Sequence, residues 1–326
     1  MKLVIGIDVS KEKLDLSIFN GEQHKMLSLR NEPKSIKTML KDYRNSNADL
    51  LFVMEATGVY HLQLATILHE YGFKVSVVNP LIIKRFSQMK MMRAKTDSVD
   101  ARLIAAYGYE QKVQLFNPRS KERQKIIKIL KAIDSLTITK NSYLNRLEAL
   151  EQDPLRVKSI IRSFRQFIYN VDKVIAKLEE ELMDIIQEHY SGTYKQLLSI
   201  KSVGSKTAAA IVGFFGKFED FENSKQVASY IGINPSPKES GSSVKGRGRI
   251  SRKGNSYLRK RLYMTSLSAM QHNRTCKELY DRLKLKGKEH KVCRMAVVNK
   301  LIKQIFAILK YNRVYDPNYQ KFYLSV

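Results

Sequence analysis

Two acidic residues stand where acids are costly. Asp8 interrupts the apolar run LVIGIDV and Glu55 closes LLFVME, and an ionised carboxylate inside a sheet persists only when it is paired or bound to a cation. In AKTDSVDARLIAA, Asp97 and Asp100 are three residues apart, which places them on one face of a helix. Each of these two also has an ordinary use, Asp97 with Thr96 at a helix cap and Asp100 as a surface acid. Taken together, carboxylates from two strands and a helix form an oxygen-ligand set for one or two hard cations, Mg2+ or Mn2+. Two such ions can clamp the attacking and leaving oxygens of a phosphodiester.

A second set lies far downstream, in ESGSSVKGRGRISRKGNSYLRKRL (239–262). Ser240, Ser242 and Ser243 precede eight lysines or arginines, and no acid follows Glu239. Lys245, Arg247, Arg249, Arg252 and Lys253 are expected to neutralise phosphate, and Arg259, Lys260 and Arg261 continue onto a helix. Gly241, Gly246 and Gly248 keep 240–254 extended or looped, so that the backbone can approach a phosphodiester closely. By residue type the three serines are equal candidates for a nucleophile, and a purely electrostatic clamp needs none of them. A third candidate, LLSIKSVGSKTAAAIVGFFG (197–216), reads as two short helices about Ser202-Val203-Gly204. Its turn can offer backbone N–H groups and Lys206 to a phosphate.

The elements that must hold the carboxylates are short. Residues 3–10, 14–20 and 24–31 read as three strands of a meander, followed by a helix over 33–46, a strand near 51–56, a helix over 59–71 and a strand over 74–79. The first three strands lack crossover helices, so the expectation is a mixed α/β sheet with helices on its faces, not a doubly wound fold. Residues 80–112 continue as mostly helical segments. From 119 to 152, Ile129, Ile133, Leu136, Tyr143, Leu147 and Leu150 recur at alternating spacings of four and three, broken by Lys140. Pro154 ends this helix and a second runs from 155 to about 188, giving either an antiparallel hairpin or a dimeric coiled coil. The expected division is a metal domain over 1–118, a helical coiled-coil linker over 119–190 and a mostly helical basic domain over 191–326.

Charge sets the class of partner. The chain of 326 residues has 58 Lys or Arg against 31 acids, a net charge of +27. Residues 1–118 hold 17 bases and 12 acids, so most of the excess lies beyond them. Such an excess invites binding to a polyanion through counterion release. No apolar run approaches the roughly 20 residues of a membrane span, and the first residues lack the pattern of a signal peptide. A cytoplasmic protein, nucleoid-associated when active, is therefore expected. Cys276 and Cys293 lack zinc-ligand spacing and read as ordinary reduced thiols in a polar helical region.

The motifs GIDVSKEKLDL, MEATGVY, VVNP and KTDSVDARLIA, in this order and spacing, resemble the N-terminal domain of the DEDD insertion-sequence transposases of the IS one-ten type, a family that includes the pilin-gene invertases. The resemblance implies an RNase H-like, RuvC-like fold in which Asp8, Glu55, Asp97 and Asp100 are the acidic tetrad. The second half of the chain resembles the same family. There the serine in the ESG context is the nucleophile for strand cleavage, which implies Ser240 in place of three equal candidates. It further implies donor and target DNA as substrates and a structured noncoding guide RNA. Because tetrad and serine lie far apart in sequence and a coiled coil could place them on different protomers, a homodimer or homotetramer with shared active sites is expected. The rival readings are a metal-dependent junction nuclease in which water attacks and Ser240 only binds phosphate, and a noncatalytic nucleic-acid-binding protein.

Overall fold

The computed structural model describes residues 2–44, 48–91, 97–240, 244–251 and 253–316, with the backbone alone at 44, 97–98, 235–240 and 244–249. It divides into two compact units, 1–118 and 119–326.

The first unit is a mixed sheet covered on both faces. Its strands are β1 (Lys2–Val9), β2 (Lys13–Phe19), β3 (His24–Arg30), β4 (Asp49–Glu55) and β5 (Lys74–Val78), in the order β3-β2-β1-β4-β5. The meander β1–β2–β3 is antiparallel, while β1, β4 and β5 run parallel. The helices are α1 (Pro33–Arg44), α2 (Tyr60–Glu70), α3 (Pro80–Met89) and α4 (Asp97–Glu110). Alternation along the strands builds two cores. Ile5, Ile7, Leu14, Leu16, Phe52 and Met54 pack on one face with Ile36 and Leu40 of α1 and Leu64 and Leu68 of α2. Val4, Leu51 and Val53 pack on the other with Ile83 and Phe86 of α3 and Leu103 and Ile104 of α4. Part of the VVNP motif is architecture. Asn79 caps α3, its side-chain oxygen accepting from the Leu81 N–H at 2.9 Å, and Pro80 opens the helix.

The second unit holds α5 (Lys121–Gln152), α6 (Lys158–Leu198), α7 (Ser205–Phe215), α8 (Ser224–Ile231), strands β6 (Pro235–Ser240) and β7 (Val244–Ile250), then α9 (Ser256–His272), α10 (Arg274–Leu285) and α11 (His290–Lys310). Helices α5 and α6 form an antiparallel pair within the chain. The Tyr143 ring packs at a tilt against Phe164 and Phe167, and Arg165 meets Glu151 at 2.7 Å. Lys140, which breaks the apolar repeat, bonds Asp172 at 2.8 Å, so its charge is used across the seam. The base of this pair is not a separate linker: Ile126, Ile133, Ile175 and Ile186 share one apolar cluster with α7, α8, α9 and α11. Cys276 and Cys293 correct the expectation of a polar setting, because both are free and fully buried in the packing of the C-terminal helices. Among the described residues no helix is long and apolar enough to cross a membrane.

Candidate active site

Strand register brings the first two carboxylates side by side. Ile7 pairs with Met54 in the parallel ladder, so Asp8 and Glu55, one residue further on, end adjacent strands at the same level. Asp8 follows Val4 and Gly6 in the two-residue period, and Glu55 follows Leu51 and Val53, so both belong to the face covered by α4. Both are half-buried. After Glu55 the chain turns at once: the Thr57 N–H donates to the Glu55 carbonyl at 2.9 Å, and Gly58 takes φ +52° before α2 begins.

Helix α4 supplies the other two, and two glycines set its path. A Cβ on Gly6 would lie 2.5 Å from the Ala101 carbonyl oxygen and closer still to the Ala105 backbone. A Cβ on Gly108 would meet Val53 Cγ2 at 2.5 Å and Val4 Cγ1 at 2.9 Å. Along α4 from Gly108 back to Ala101, the partners on β1 therefore advance from Val4 to Gly6. The helix runs opposite to β1, so its first turn, with Asp97 and Asp100, reaches the strand end that carries Asp8. Asp100 is half-buried, and the side chain of Asp97 lies outside the described residues. Among the described residues no three acidic, histidine or cysteine side chains close into a group able to hold an ion. The donor set is nevertheless all carboxylate, which suits a hard cation.

Sequence reading missed Asp15. It sits directly opposite Asp8 in the β1–β2 ladder, a fifth carboxylate at the same end of the sheet. Its charge is already used, by Lys13 at 2.9 Å and by the Ser28 hydroxyl, which donates to it. It gave little signal, since Asp15 takes a regular polar position between Leu14 and Leu16 in the alternation of KLDLSIF.

Ser240 lies at the end of a β-ribbon, where an extended or looped segment was expected. Strands β6 and β7 pair antiparallel, with Ser240 opposite Val244, Glu239 opposite Lys245 and Ser236 opposite Arg249. The register shifts between Ser236 and Lys238, where Pro237 lacks the N–H a regular ladder requires. Ser240 is the last strand residue before the connection, while Ser242, Ser243 and Arg252 lie outside the described residues. Lys245, Arg247 and Arg249 occupy every second position of β7.

The base of the ribbon is anchored to α8. Gly232 ends that helix in the left-handed region at φ +81°, and a Cβ on Gly254 would meet its N–H nitrogen at 2.7 Å. The Asn255 N–H donates to the Tyr230 carbonyl at 3.0 Å, and Ser251 N–H to the Asn234 carbonyl at 3.0 Å. Arg259, a candidate phosphate ligand, donates its guanidinium to the Ile231 carbonyl at 2.8 Å and so caps α8. Lys253 is exposed.

The expected pair of short helices is also present. Helix α6 is kinked at Tyr190, and its last segment leads through a turn into α7, capped by Gly204 without a side-chain bond. Nothing would obstruct a Cβ on Gly204, so the start of α7 is open to solvent. Lys206 bonds Glu179 at 2.8 Å, an exposed pair that a phosphate could displace at little cost. Ser202 is buried, with an unpartnered hydroxyl.

Two family models match the chain in sequence, one over most of the first unit and the start of the second, and one over part of the second. Residues 5–151 match the DEDD transposase model of the IS110 type, and residues 194–281 match the transposase IS116/IS110/IS902 family. The chain carries both domains of an IS110-family transposase. A pilin gene-inverting protein of Moraxella lacunata is 27% identical over 97% of this chain and 98% of its own length. The transposase for insertion sequence element IS1111A of Coxiella burnetii is 23% identical over 96% of this chain and 91% of its own length. Among solved structures, RuvC of T. thermophilus in complex with a Holliday junction substrate aligns over 36% of this chain and all of that chain, with 13% identity and a TM-score of 0.28.

Proposed function

We propose that this transposase cuts and rejoins DNA by transesterification, with Ser240 as nucleophile and with Asp8, Glu55, Asp97 and Asp100 as its acidic tetrad. The observation that supports the reading is the backbone course: β1 and β4 end side by side at Asp8 and Glu55, and the Gly6 contact runs the first turn of α4 toward the same end of the sheet. Ser240 Oγ attacks a DNA phosphorus, the P–O3′ bond breaks, and the 3′ oxygen leaves with a proton as a free hydroxyl. The phosphoserine ester keeps the bond energy, so a 3′-hydroxyl of another strand can reverse the step without ATP. A carboxylate-bound Mg2+ or Mn2+ supplies charge stabilisation at the phosphate when present. The lysine and arginines of β7 neutralise the flanking backbone.

The family resemblance adds a structured noncoding RNA that pairs with donor and target DNA, and the long separation of tetrad and serine in sequence adds a homodimer or homotetramer with shared active sites. No base-reading module is evident in the sequence, in keeping with delegated recognition. The experiment is a denaturing gel of labelled donor DNA incubated with the protein, divalent metal and the RNA transcribed beside its gene. We expect a protein–DNA adduct that survives denaturation, is lost in Ser240→Ala and persists in Ser242→Ala. Normal cleavage by Ser240→Ala would assign attack to water and the chain to the nuclease reading. Cleavage that survives Asp8→Ala and Glu55→Ala would remove the metal site.

A further inference from the structure

The connection between α10 and α11 is a strongly cationic surface outside the ribbon. Residues 284–292 are exposed without a break. Between 282 and 291, Arg282, Lys284, Lys286, Lys288 and Lys291 stand against a single carboxylate, Glu289. Among the described residues none of these five cations lies in an ion pair, although Arg261 and Arg274 elsewhere in the same unit do.

The turn that carries them is built, not loose. Gly287 takes φ +72°, its N–H donating to the Lys284 carbonyl at 2.9 Å, and the Lys288 N–H donates to the Leu283 carbonyl at 3.1 Å. The buried Cys293 thiol reaches the Lys288 carbonyl at 3.6 Å. Packing of α10 and α11 on α9 therefore holds the lysines on a set frame.

Helix electrostatics accounts for only part of this charge. Arg282 and Lys284 occupy the last turn of α10, where a cation complements the helix dipole. Lys288 and Lys291 flank the opposite, positive end of α11, which has no acid in its first turn and no side-chain cap bond from Glu289. These cations oppose the local field, so their placement costs the free protein stability. Clustered positive charge in excess of the neighbouring carboxylates is the arrangement that releases counterions on meeting a phosphate backbone.

We propose that the α10–α11 hairpin is a second nucleic-acid contact, gripping the phosphate backbone of a duplex through Lys284, Lys286, Lys288 and Lys291. It rests on the nucleic-acid reading above but uses neither Ser240 nor the tetrad. Its contribution is sequence-independent: it orients the duplex while other residues act on the scissile phosphate.

The test titrates three full-length proteins with a B-form DNA duplex and with an RNA duplex of the same sequence over a range of salt. These are the unmodified chain, Lys286→Gln/Lys288→Gln/Lys291→Gln, and the charge-matched control Lys121→Gln/Lys125→Gln/Lys128→Gln on exposed positions of α5. Each lost phosphate contact should flatten the slope of log K against log salt by about 0.9. The hairpin variant should therefore show a slope shallower by about 2 to 3 and an affinity roughly tenfold or more weaker at low salt. Its melting temperature should be unchanged or higher, because charges opposing the α11 dipole are gone. A loss confined to the DNA or to the RNA duplex names the source of the phosphate. Equal affinity and slope in variant and unmodified protein, or an equal fall in the α5 control, overturns the hairpin and leaves the transposase reading standing. Binding of neither duplex by the unmodified chain overturns both.

Discussion

Cys276 shows how burial decides what a reactive residue type can do. Its thiol is buried, and burial pushes it up to about 12, so almost no thiolate exists at neutral pH. In the native protein at pH 8, Cys276 should resist iodoacetamide and become labelled only across the denaturation transition; rapid native labelling would contradict its packing. The cysteine count and spacing were legible in sequence, but not this burial, which depends on three C-terminal helices closing together. Arg259 and Lys206 teach the same lesson for charge. Sequence showed them as cations beside candidate phosphate sites. It did not show that the Ile231 carbonyl takes the one and Glu179 the other. Asp8 and Glu55 were legible because an acid inside an apolar strand is too costly to keep unless something positive meets it.

At the scale of elements, the seam between β1 and α4 sets the candidate site. Gly6 lets the helix backbone lie directly on the strand, and a methyl group there has nowhere to go. Gly6→Ala should cost about 1–3 kcal/mol of stability, as overpacking does elsewhere. Because the displaced helix carries Asp97 and Asp100, strand cleavage should fall further than stability predicts. Urea denaturation with a parallel cleavage assay checks both, and unchanged values would show that α4 tolerates the shift. The five strands and first two helices of this unit were legible from periodicity, within a residue or two over most of their ends, whereas 80–112 read only as mostly helical segments. The β6–β7 ribbon was not. Pro235, Pro237 and the glycines and serines around them are poor strand formers, and pairing with a neighbour, which no local pattern records, makes them extended.

The whole molecule has two units with separate cores, so two thermal transitions are expected. His24 and His61 lie in the first unit, both held below the ordinary value of 6.5 by burial; nearby Arg102 lowers His24 further, while a bond to the Thr57 carbonyl partly offsets the effect at His61. The unfolded chain therefore binds protons near pH 6.5 that the folded unit refuses, and folding stability is full above that pH and declines as pH falls through the lower folded values. Calorimetry between pH 7.5 and 5 should show the transition of the first unit moving down more than the other. The shift should shrink in His24→Gln/His61→Gln; an equal shift in that double variant would exclude the histidines. Net charge and its skew toward the second half were legible at this scale. The shared core of 119–309 was not, because the repeat along α5 and α6 reads the same whether it faces a partner helix or a domain.

The order of elements also has a consequence in time. Strand β1 cannot complete its parallel pairing until β4 has been made, and the carboxylate end of the sheet is incomplete until α4 follows, yet all of this is finished by Glu110. Ser240 is still 130 residues away. At roughly 5–20 residues per second that gap lasts from several seconds to nearly half a minute on the ribosome. Each newly made chain thus holds its acidic half folded well before its serine exists, and under the proposed serine chemistry a nascent transposase is unable to cut the DNA that encodes it.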